Sequence, residues 1–445
     1  MNISVVGLGK LGATLAGVIA SKQHTVIGVD INEHNIAKIN AAQAPIFEPG
    51  LAELLWLSRE RLSATANYRE ALDKTEITFV IVPTPSDDSG SFSLRYVLNA
   101  CEAIGKSLRH KQEYHLVVIT STVMPGAMRQ EIQPCLERVS GKRCGIDFGL
   151  CYNPEFIALG NIIHDMLNPD FLLIGESDQR AGALLEAFYK TICVQDTPCQ
   201  RMNFINAELA KLAVNTYVTM KISYANMLAQ MCERLEDADA YTVSTAIGCD
   251  SRIGSKYLRG ALGYGGPCFP RDNLAFSHLA EVVGVDALLS KATDEINNRQ
   301  TPRLADIIVP YLPSEGTVGI LGLSYKPETN VTERSQGLEL AQYLLSQGIG
   351  VKVYDPVALD TARDQLIGNV SFASSMDECA RQVDVLVIAT AWNEFKELSP
   401  TTLKHNPRPT MIIDCWRILN ESLFREVSTY LTPGRYQKIP VKLVE

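Results

Sequence analysis

MNISVVGLGKLGATLAGVIASKQHTVIGVD, residues 1–30, opens the chain with an apolar strand, a glycine-rich turn, a helix and a second strand. Gly7, Gly9 and Gly12 follow the first strand in the spacing G-x-G-x-x-G, and the second strand ends at Asp30. In dinucleotide sites the first glycine makes the turn, the second admits the pyrophosphate, and the third lets helix and strand pack closely. An acid after the second strand holds the ribose hydroxyls. The segment therefore predicts a Rossmann-type dinucleotide site.

Asp30 also bears on the choice of cofactor. A carboxylate at the end of the second strand would repel the 2′-phosphate of NADP, so the segment favours NAD. Lys10 and Leu11 lie between the second and third glycines and belong to the predicted cofactor site. An ordinary strand–helix turn is the alternative, but such a turn would not need an acid at this point.

Four further apolar runs continue the alternation, and each ends in a polar loop: ITFVIVPTP from Ile77, HLVVITSTVMPG from His115, GLCYNPEF from Gly149 and FLLIGES from Phe171. Continuous apolar runs are typical of parallel strands that are buried on both faces. Ligands bind beyond the carboxyl ends of such strands, which places Thr84, Thr122 and Glu155 next to a ligand. A turn or helix-cap role is an equal alternative for the two threonines.

Residues 206–237, NAELAKLAVNTYVTMKISYANMLAQMCERLED, contain no glycine or proline and predict one long helix. The apolar surface of this helix exceeds what a solvent-facing helix needs, which indicates a domain connector or a dimer seam. Lys211 and Asn215 lie four residues apart and project from the same side. Both are either solvent-facing or functional.

The last third of the chain repeats the opening rhythm of strand, turn, helix and strand-ending acid. The repeat is carried by TVGILGLSYK from Thr317, GVKVYDP ending the strand at Asp355, VDVLVIATAW and TMIIDCW. Gly319 and Gly322 are present, but the full glycine motif is not. This region predicts a second doubly wound domain, which either binds a different nucleotide or is a structural duplication without a ligand.

GYGGPCFPRD, residues 263–272, places Cys268 in a loop of glycines and prolines, directly before Arg271 and Asp272. Glycines let a backbone approach a ligand, prolines fix the turn, and a nearby cation favours the thiolate over the thiol. The pattern fits a covalent nucleophile. A small cysteine buried in a tight turn is the alternative.

Composition excludes several classes of protein. At 445 residues the chain is long enough for two or three domains, and a net charge of −9 argues against a nucleic-acid or anionic-membrane surface. The 11 cysteines form no CxxC pairs, so neither a metal site nor a disulfide framework is expected. No signal-like or membrane-spanning run is found, and we expect a cytoplasmic protein.

The motifs combine in chain order: GLGKLG with Asp30, IFEPGLAELL from Ile46, VPTP with Thr84, STVMPG with Thr122, NPEF with Glu155, ELAKLAVNTYVTMKISYAN, RIGSKYLRG from Arg252, GYGGPCFPRD, GLSYKPET and VYDP. In this order and spacing they resemble the UDP-glucose/GDP-mannose dehydrogenase family over nearly the whole chain. The resemblance implies an α/β fold of two Rossmann-like doubly wound domains joined by a long central helix and a helical dimerisation segment. It implies an NAD-binding domain (1–200), a central helical dimerisation domain (201–300) and a nucleotide-sugar-binding domain (301–445).

The resemblance also implies the reaction, a four-electron oxidation of a sugar primary alcohol to a carboxylate with two NAD in succession. Cys268 would capture the aldehyde as a thiohemiacetal that is oxidised to a thioester. The developing oxyanion would be stabilised by Lys211 and Asn215. The catalytic water would be positioned by Asp272 together with Lys211. Glu155, with Thr122, would serve the hydrolysis of the thioester.

The binding residues implied by the resemblance fall into two sets. The cofactor set comprises Gly7, Gly9, Lys10, Leu11, Gly12, Asp30, Thr84, Thr122, Arg271 and Arg334. The substrate set comprises Glu155, Lys211, Asn215, Arg252, Tyr257, Arg259, Gly265 and Lys326. The resemblance implies that Arg252 reaches the substrate of a partner subunit, so a homodimer is expected.

The chain departs from the family pattern at several of these motifs. Leu159 stands where the family usually has a second glutamate, Arg271 where it has lysine, and Gln336 where it has proline. Cys415 and Trp416 stand where glycine and arginine are usual. The departures leave the reaction type intact but bear on which sugar is oxidised.

UDP-glucose is the favoured substrate, because the cysteine loop is more similar to the UDP-glucose branch. GDP-mannose and a UDP-N-acetylhexosamine are alternatives. A two-electron hydroxy-acid-type dehydrogenase, which would not need Cys268, and a non-catalytic NAD-binding or sugar-sensing protein are further alternatives.

Overall fold

The computed structural model describes residues 1–87, 89–404, 406, 408 and 410–436. The chain divides into two compact units, Met1–Ala213 and Val214–Glu445.

The first unit is built on an eight-stranded sheet in the order β3-β2-β1-β4-β5-β6-β7-β8, as counted over the described residues. Its strands are β1 Asn2–Val6, β2 Thr25–Val29, β3 Leu62–Thr65, β4 Ile77–Val80, β5 His115–Ile119, β6 Phe148–Tyr152, β7 Leu172–Glu176 and β8 Cys199–Met202. Strands β1 to β6 pair in parallel, as the continuous apolar runs predict.

The prediction of a parallel strand at FLLIGES is wrong in direction. Strand β7 pairs with β6 antiparallel, with Cys151 opposite Glu176 and Tyr152 opposite Gly175. The end of this strand therefore lies at the opposite edge of the sheet from the end of β6. An apolar run carries no information on strand direction, because a strand buried on both faces has the same composition in either direction.

Helices cover both faces of this sheet. They are α1 Lys10–Ser21, α2 Glu33–Asn40, α3 Leu51–Ser58, α4 Tyr68–Asp73, α5 Arg95–Leu108, α6 Gln133–Ser140, α7 Ile162–Leu167 and α8 Gln179–Ile192, with a π-helical turn at Met128–Ile132 leading into α6. Alternate strand residues face opposite cores: Ile3 and Val5 pack into one cluster and Val6 into the other.

The long helix predicted from Asn206 is α9, Phe204–Cys232. The boundary between the two units falls inside it, after Ala213. The three-domain division at residues 200 and 300 stays a prediction.

The second unit carries a six-stranded sheet in the order β11-β10-β9-β12-β13-β14, all parallel over the described residues. Its strands are β9 Thr317–Leu321, β10 Gly350–Tyr354, β11 Val370–Phe372, β12 Val385–Ile388, β13 Met411–Asp414 and β14 Thr429–Leu431. Its helices are α10 Ala240–Gly248, α11 Phe269–Val282, α12 Leu288–Asn298, α13 Gln300–Ile308, α14 Gln336–Ser346, α15 Leu359–Arg363, α16 Met376–Ala380, α17 Pro400–Leu403 and α18 Glu421–Arg425, with short 3₁₀ turns at Val309–Tyr311 and Glu394–Glu397.

The repeat seen in the sequence is therefore a repeat of topology, because six strands of each sheet follow the same relative order. The described helices include none that is long and apolar enough to cross a membrane. Among the described residues no cluster of three His, Cys, Asp or Glu side chains could hold a metal ion.

Candidate active site

The glycine turn between β1 and α1 has the geometry that a dinucleotide requires. Gly7 adopts φ +93°, and a Cβ there would lie 2.7 Å from the Ile81 carbonyl oxygen. A Cβ at Gly12 would lie 1.7 Å from the Gly7 carbonyl oxygen, so only glycine lets the helix sit this close to the turn. A Cβ at Gly9 would meet nothing within 4 Å, which leaves the start of α1 open to a ligand.

The N-terminus of α1 suits an anion. Gly9 is the N-cap, no side chain caps the helix, and its first turn contains no acidic residue. Lys10 is exposed and Leu11 is partly buried against the first core. The positive end of the helix dipole therefore faces the space that Gly9 leaves open, as a pyrophosphate requires.

Asp30 is held at the end of β2 by backbone and side-chain donors. Its Oδ2 accepts from the Leu8 N–H at 2.6 Å and from the Asn35 side chain at 3.3 Å, and its Oδ1 accepts from the Asn32 N–H at 2.8 Å. The residue is partly exposed, so its carboxylate is fixed in direction and still accessible to ribose hydroxyls.

Thr84 and Thr122 follow neighbouring strands, β4 and β5, and the structure brings them together. The buried Thr84 donates its hydroxyl to the Thr122 carbonyl oxygen at 2.8 Å. This bond makes Thr84 a support for the loop that carries Thr122. The turn role that the sequence left open is therefore present at Thr84.

Lys211 lies against the loop after β6. Its ammonium donates to the Glu155 backbone carbonyl at 2.7 Å and lies 4.6 Å from the centre of the Phe156 ring. The side chain is buried, with 7% of its surface exposed. The NPEF loop and α9 are thus joined by a buried cation, and the solvent-facing alternative for Lys211 is wrong.

The surroundings of Glu155 change the pKa of its carboxyl group. Desolvation raises the pKa of its carboxyl to about 7, although the Lys211 charge and a hydrogen bond from Tyr189 act in the opposite direction. A carboxyl with a pKa near neutrality is suited to proton transfer at physiological pH. Leu159, which replaces the family's second glutamate, packs against the first core.

Glu208 was missed by the sequence reasoning. It is fully buried on α9, and its carboxylate accepts from the Gly126 N–H at 2.7 Å and the Met128 N–H at 2.8 Å. Desolvation raises its pKa to about 7 as well. Glu208 lies three residues before Lys211, so an acid on the same side of an apolar helix was the available signal.

Cys268 is exposed at the N-cap of α11, in the second unit. Its carbonyl oxygen accepts from the Asp272 N–H at 2.8 Å, and Pro270 lies in the first turn. The positive end of a helix dipole stabilises a thiolate at this position. The buried-cysteine alternative is wrong, and none of the eleven cysteines, all in described residues, forms a disulfide.

Asp272 lies one turn into α11 and is almost fully buried, with 1% of its surface exposed. Its Oδ2 accepts from the Asn215 side chain at 2.6 Å, and its Oδ1 lies 3.7 Å from the Arg271 guanidinium. Asn215 is itself buried. The Asn215 amide and the Arg271 cation thus both lie against the Asp272 carboxyl group, within one helical turn of Cys268.

Tyr257 and Arg259 lie on the segment before the cysteine loop. Tyr257 adopts φ +64° and packs edge-on against Phe269, the residue after Cys268, with ring centres 6.3 Å apart. The Arg259 guanidinium donates to the Trp416 carbonyl oxygen and lies near the Tyr241 and Trp416 rings. The unusual Trp416 therefore contacts a predicted substrate residue.

The remaining predicted residues lie on loops of the second unit. Arg252 is exposed and forms a two-point ion pair with Asp250, at 3.0 Å and 2.6 Å. Lys326 lies in the loop after β9 and is partly exposed. Arg334 adopts φ +52° and pairs with Glu339 at 3.3 Å. A Cβ at Gly265 would lie 2.1 Å from the Arg334 carbonyl oxygen.

Three family models divide the chain between them. The NAD binding domain of the UDP-glucose/GDP-mannose dehydrogenase family matches residues 1–193, the central domain matches 205–299, and the UDP binding domain matches 319–421. The chain belongs to the UDP-glucose/GDP-mannose dehydrogenase family. It is an NAD-dependent nucleotide-sugar dehydrogenase, and the predictions of family, fold class, enzyme class and cofactor are confirmed.

Relatives within this dehydrogenase family include enzymes of different substrates. The chain is 38% identical to the UDP-glucose 6-dehydrogenase of Haloferax volcanii, over 89% of this chain and 93% of that one. It is 34% identical to the GDP-mannose 6-dehydrogenase of Azotobacter vinelandii, over 93% and 96%. A solved UDP-glucose dehydrogenase from Pyrobaculum islandicum superposes with a TM-score of 0.87 at 36% identity, covering 98% of both chains.

The UDP binding domain of this dehydrogenase repeats the glycine turn of the NAD site. The acid that follows its second strand, Asp355, is buried instead of accessible. Gly322 adopts φ +106°, and a Cβ at Gly337 would lie 2.1 Å from its carbonyl oxygen, as Gly12 does with Gly7. Asp355 matches Asp30 in position but is buried, accepting from the Leu323, Ser324, Val357 and Ala358 N–H groups and from the Ser324 hydroxyl and Trp392 indole. Because the Asp355 carboxylate is buried and already accepts these hydrogen bonds, it is not accessible to ribose hydroxyls. The turn at Gly322 therefore lacks the ribose-binding acid of an NAD site.

Replacing Asp30 with alanine is expected to weaken NAD binding about tenfold, the effect of one charge-assisted hydrogen bond, with little change for the sugar nucleotide. Calorimetric titration with NAD and with UDP-glucose measures both affinities. Asp73→Ala, an exposed acid on α4 of the same unit, is the matched control. Equal loss of both affinities in the Asp30 variant would contradict the assignment of this acid to the cofactor.

Proposed function

We propose that this dehydrogenase oxidises the C6 hydroxymethyl group of UDP-glucose to the carboxylate of UDP-glucuronate, through a covalent intermediate on Cys268. The observation that carries the proposal is the exposed thiol at the N-terminus of α11, one turn before the buried Asp272 that Asn215 and Arg271 hold in place. A two-electron alcohol oxidation needs no nucleophile, so a thiol in this setting supports the four-electron reaction.

The first step removes a proton from the C6 hydroxyl and two electrons from C6. NAD bound at the glycine turn supplies the hydride acceptor for this oxidation and for the second one. Asp272 orders the water that takes the proton, and Lys211 and Asn215 stabilise the negative charge that develops on the C6 oxygen. The buried amine suits this role because a charge in a site of low dielectric acts strongly on a developing oxyanion.

The second step keeps the aldehyde on the protein. The Cys268 thiolate adds to the C6 aldehyde carbon, a C–S bond forms, and the oxygen takes a proton to give a thiohemiacetal. Loss of a hydride from C6 and of the hydroxyl proton then converts the thiohemiacetal into a thioester. A helix N-terminus supports the first of these reactions, because it favours the thiolate that attacks.

The third step releases the product. Water adds to the thioester carbonyl, the C–S bond breaks, and the Cys268 thiol and the carboxylic acid are formed. Glu155 accepts a proton from this water, and Thr122 helps to orient it. The overall reaction consumes one alcohol, two NAD⁺ and one water, and gives one carboxylate, two NADH and three protons. Because Leu159 lies against the core, Glu155 acts without a second glutamate at that position.

The choice of UDP-glucose is supported by the relatives. The Haloferax volcanii enzyme and the Pyrobaculum islandicum structure are both named for UDP-glucose, whereas the Azotobacter vinelandii relative, named for GDP-mannose, is less similar. In the proposed complex Tyr257, Arg259, Gly265 and Lys326 contact the nucleotide sugar, and the three polar side chains suit a diphosphate and a sugar. Oxidation of GDP-mannose by the same chemistry is the alternative.

A homodimer in the cytoplasm completes the proposal. The face of α9 in the second unit exposes Tyr217, Tyr224, Met227 and Met231, each with at least 40% of its surface accessible. These positions repeat at helical spacing, and a continuous apolar stripe of this kind favours burial against a second copy. Arg252, exposed on its loop, would then reach the substrate of the partner.

Counting the NADH formed with each nucleotide sugar tests the proposed function. UDP-, GDP- and CDP-linked sugars are supplied in limiting amounts with excess NAD, and the absorbance of NADH is followed to completion. Two NADH per UDP-glucose, with acid as the product, is expected. One NADH per sugar would favour a two-electron dehydrogenase, and NAD binding without NADH from any sugar would favour a sensor.

A further inference from the structure

The segment that leads into Cys268 has little secondary structure of its own to hold it. Residues 261–264 lie outside the helices and strands, and Gly263, Gly265 and Gly266 make the loop intrinsically flexible. A nucleophile must nevertheless be held close to its productive geometry, since small displacements lower the rate steeply. Something else must therefore fix this backbone.

Three buried amide side chains, which we call the amide clamp, hold the segment: Asn226, Asn297 and Gln336. Asn226 on α9 accepts from the Ala261 N–H at 3.1 Å and donates to the Leu262 carbonyl at 3.0 Å. Asn297, on α12, accepts from the Tyr264 N–H at 2.7 Å and donates to the Tyr264 carbonyl at 3.0 Å.

Gln336, the first residue of α14, is the third side chain of the amide clamp. Its Oε1 accepts from the Gly263 N–H at 3.2 Å, and its Nε2 donates to Glu339 at 3.1 Å. Glu339 in turn pairs with Arg334 at 3.3 Å. The carboxamide therefore links the cysteine loop to the segment that carries Arg334.

The two amides nearest Gly263 leave it no room. A Cβ at Gly263 would lie 2.5 Å from the Asn297 Oδ1 and 2.7 Å from the Gln336 Oε1. The next residues are also enclosed, because the Gly266 N–H donates to the Glu333 carbonyl at 2.9 Å and a Cβ at Gly266 would lie 2.6 Å from the Tyr325 ring. The loop is thus held by side chains over its first half and by a neighbouring backbone over its second.

We propose that Gln336 is a positioning residue for the reaction, acting through the Gly263 hydrogen bond to hold the Cys268 loop in its reactive geometry. The proposal rests on the proposed function only in naming Cys268 as the reacting thiol. It rests on the carboxamide oxygen that accepts from the Gly263 N–H and on the burial of that carboxamide against the loop.

The place of Gln336 in its helix allows a clean variant. Gln336 is the first residue of α14, and Ser335 before it is the N-cap with φ −69° and ψ +126°. Proline is tolerated at the first helical position, and this extended conformation suits the residue before a proline. Gln336→Pro therefore removes the carboxamide at little cost to the helix. Gln336→Met removes the same hydrogen bonds with a side chain of similar length.

Both variants are expected to lower kcat about fivefold to tenfold, the effect of one lost hydrogen bond, with the KM values for NAD and UDP-glucose unchanged within about twofold. Amide hydrogen exchange in the peptide containing Gly263 should be at least about tenfold faster, because its protecting acceptor is gone. Gln342→Met, which removes an exposed glutamine hydrogen bond from the same helix, should match the wild type in both measurements.

Hydrogen exchange and the alkylation rate of Cys268 need no substrate, so they test the clamp even if the proposed function fails. Unchanged exchange and wild-type kcat in both Gln336 variants would overturn the proposal. A fall in kcat accompanied by an equal rise in KM and a lower Tm in both variants would also overturn it, because that pattern indicates a role in the fold alone.

Discussion

Replacing Cys268 with serine is expected to lower acid formation from UDP-glucose at least about a thousandfold, because removal of a covalent nucleophile commonly costs this much or more. A serine hydroxyl at this position does not supply the thiolate that attacks the aldehyde. The first oxidation does not need the thiol. The variant should therefore still form a small amount of NADH in a single turnover while making no acid.

The control for this variant is Cys249→Ser, because Cys249 is the other exposed cysteine among the eleven. It should retain wild-type turnover. Treating the wild-type protein with iodoacetamide should abolish acid formation in step with modification of the Cys268 peptide. Full turnover by Cys268→Ser would favour the two-electron dehydrogenase instead.

Glu155→Gln is expected to slow hydrolysis of the thioester about a hundredfold or more, the usual contribution of a general base. In the wild-type protein the carboxyl, with its pKa raised to about 7, accepts a proton only when ionised. Hydrolysis should therefore fall about tenfold per pH unit below pH 7 and reach a plateau above it. Glu155→Gln should lose this acid limb, which pre-steady-state measurements between pH 5.5 and 9 would show.

The raised pKa of Glu155 also makes the free energy of unfolding depend on pH. Its folded-state pKa lies above the unfolded value of about 4.3, so its stabilising contribution is complete below the unfolded value and is lost as pH rises through 7. Glu155→Gln should therefore gain stability relative to the wild type at pH 8 more than at pH 4. Urea unfolding at the two pH values measures the difference.

Glu208 is the second group that could cause the acid limb of hydrolysis, because burial raises its pKa to about 7 as well. It accepts two backbone N–H groups next to the loop of Thr122, so its protonation would act on that loop. An acid limb that persists in Glu155→Gln would therefore assign the titration to Glu208 and contradict the role of Glu155.

The sequence predicted those parts of the site that local chemistry determines. Gly7, Gly9 and Gly12 each have the conformation or clearance that their spacing implies, and Asp30 ends its strand where the motif requires it. The long helix is present almost as predicted, because its lack of glycine and proline is a local property.

Features that depend on distant residues could not be predicted in the same way. Tertiary contacts determine the direction of β7, the burial of Glu208 and the hydrogen bond from the Trp392 indole to the buried Asp355. The amide clamp is the clearest case, because Gln336 lies 73 positions from the Gly263 that it holds. In the sequence Gln336 was visible only as a departure from a family pattern.

The most direct test of the account is to trap the covalent intermediate on the slow-hydrolysing Glu155→Gln protein. The protein is mixed with UDP-glucose and excess NAD, quenched in acid, digested and examined by mass spectrometry. We expect the peptide containing Cys268 to gain the mass of UDP-glucuronate less one water, together with two NADH per adduct. Two NADH formed with an unmodified Cys268 peptide, or with the adduct on another residue, would contradict the central claim.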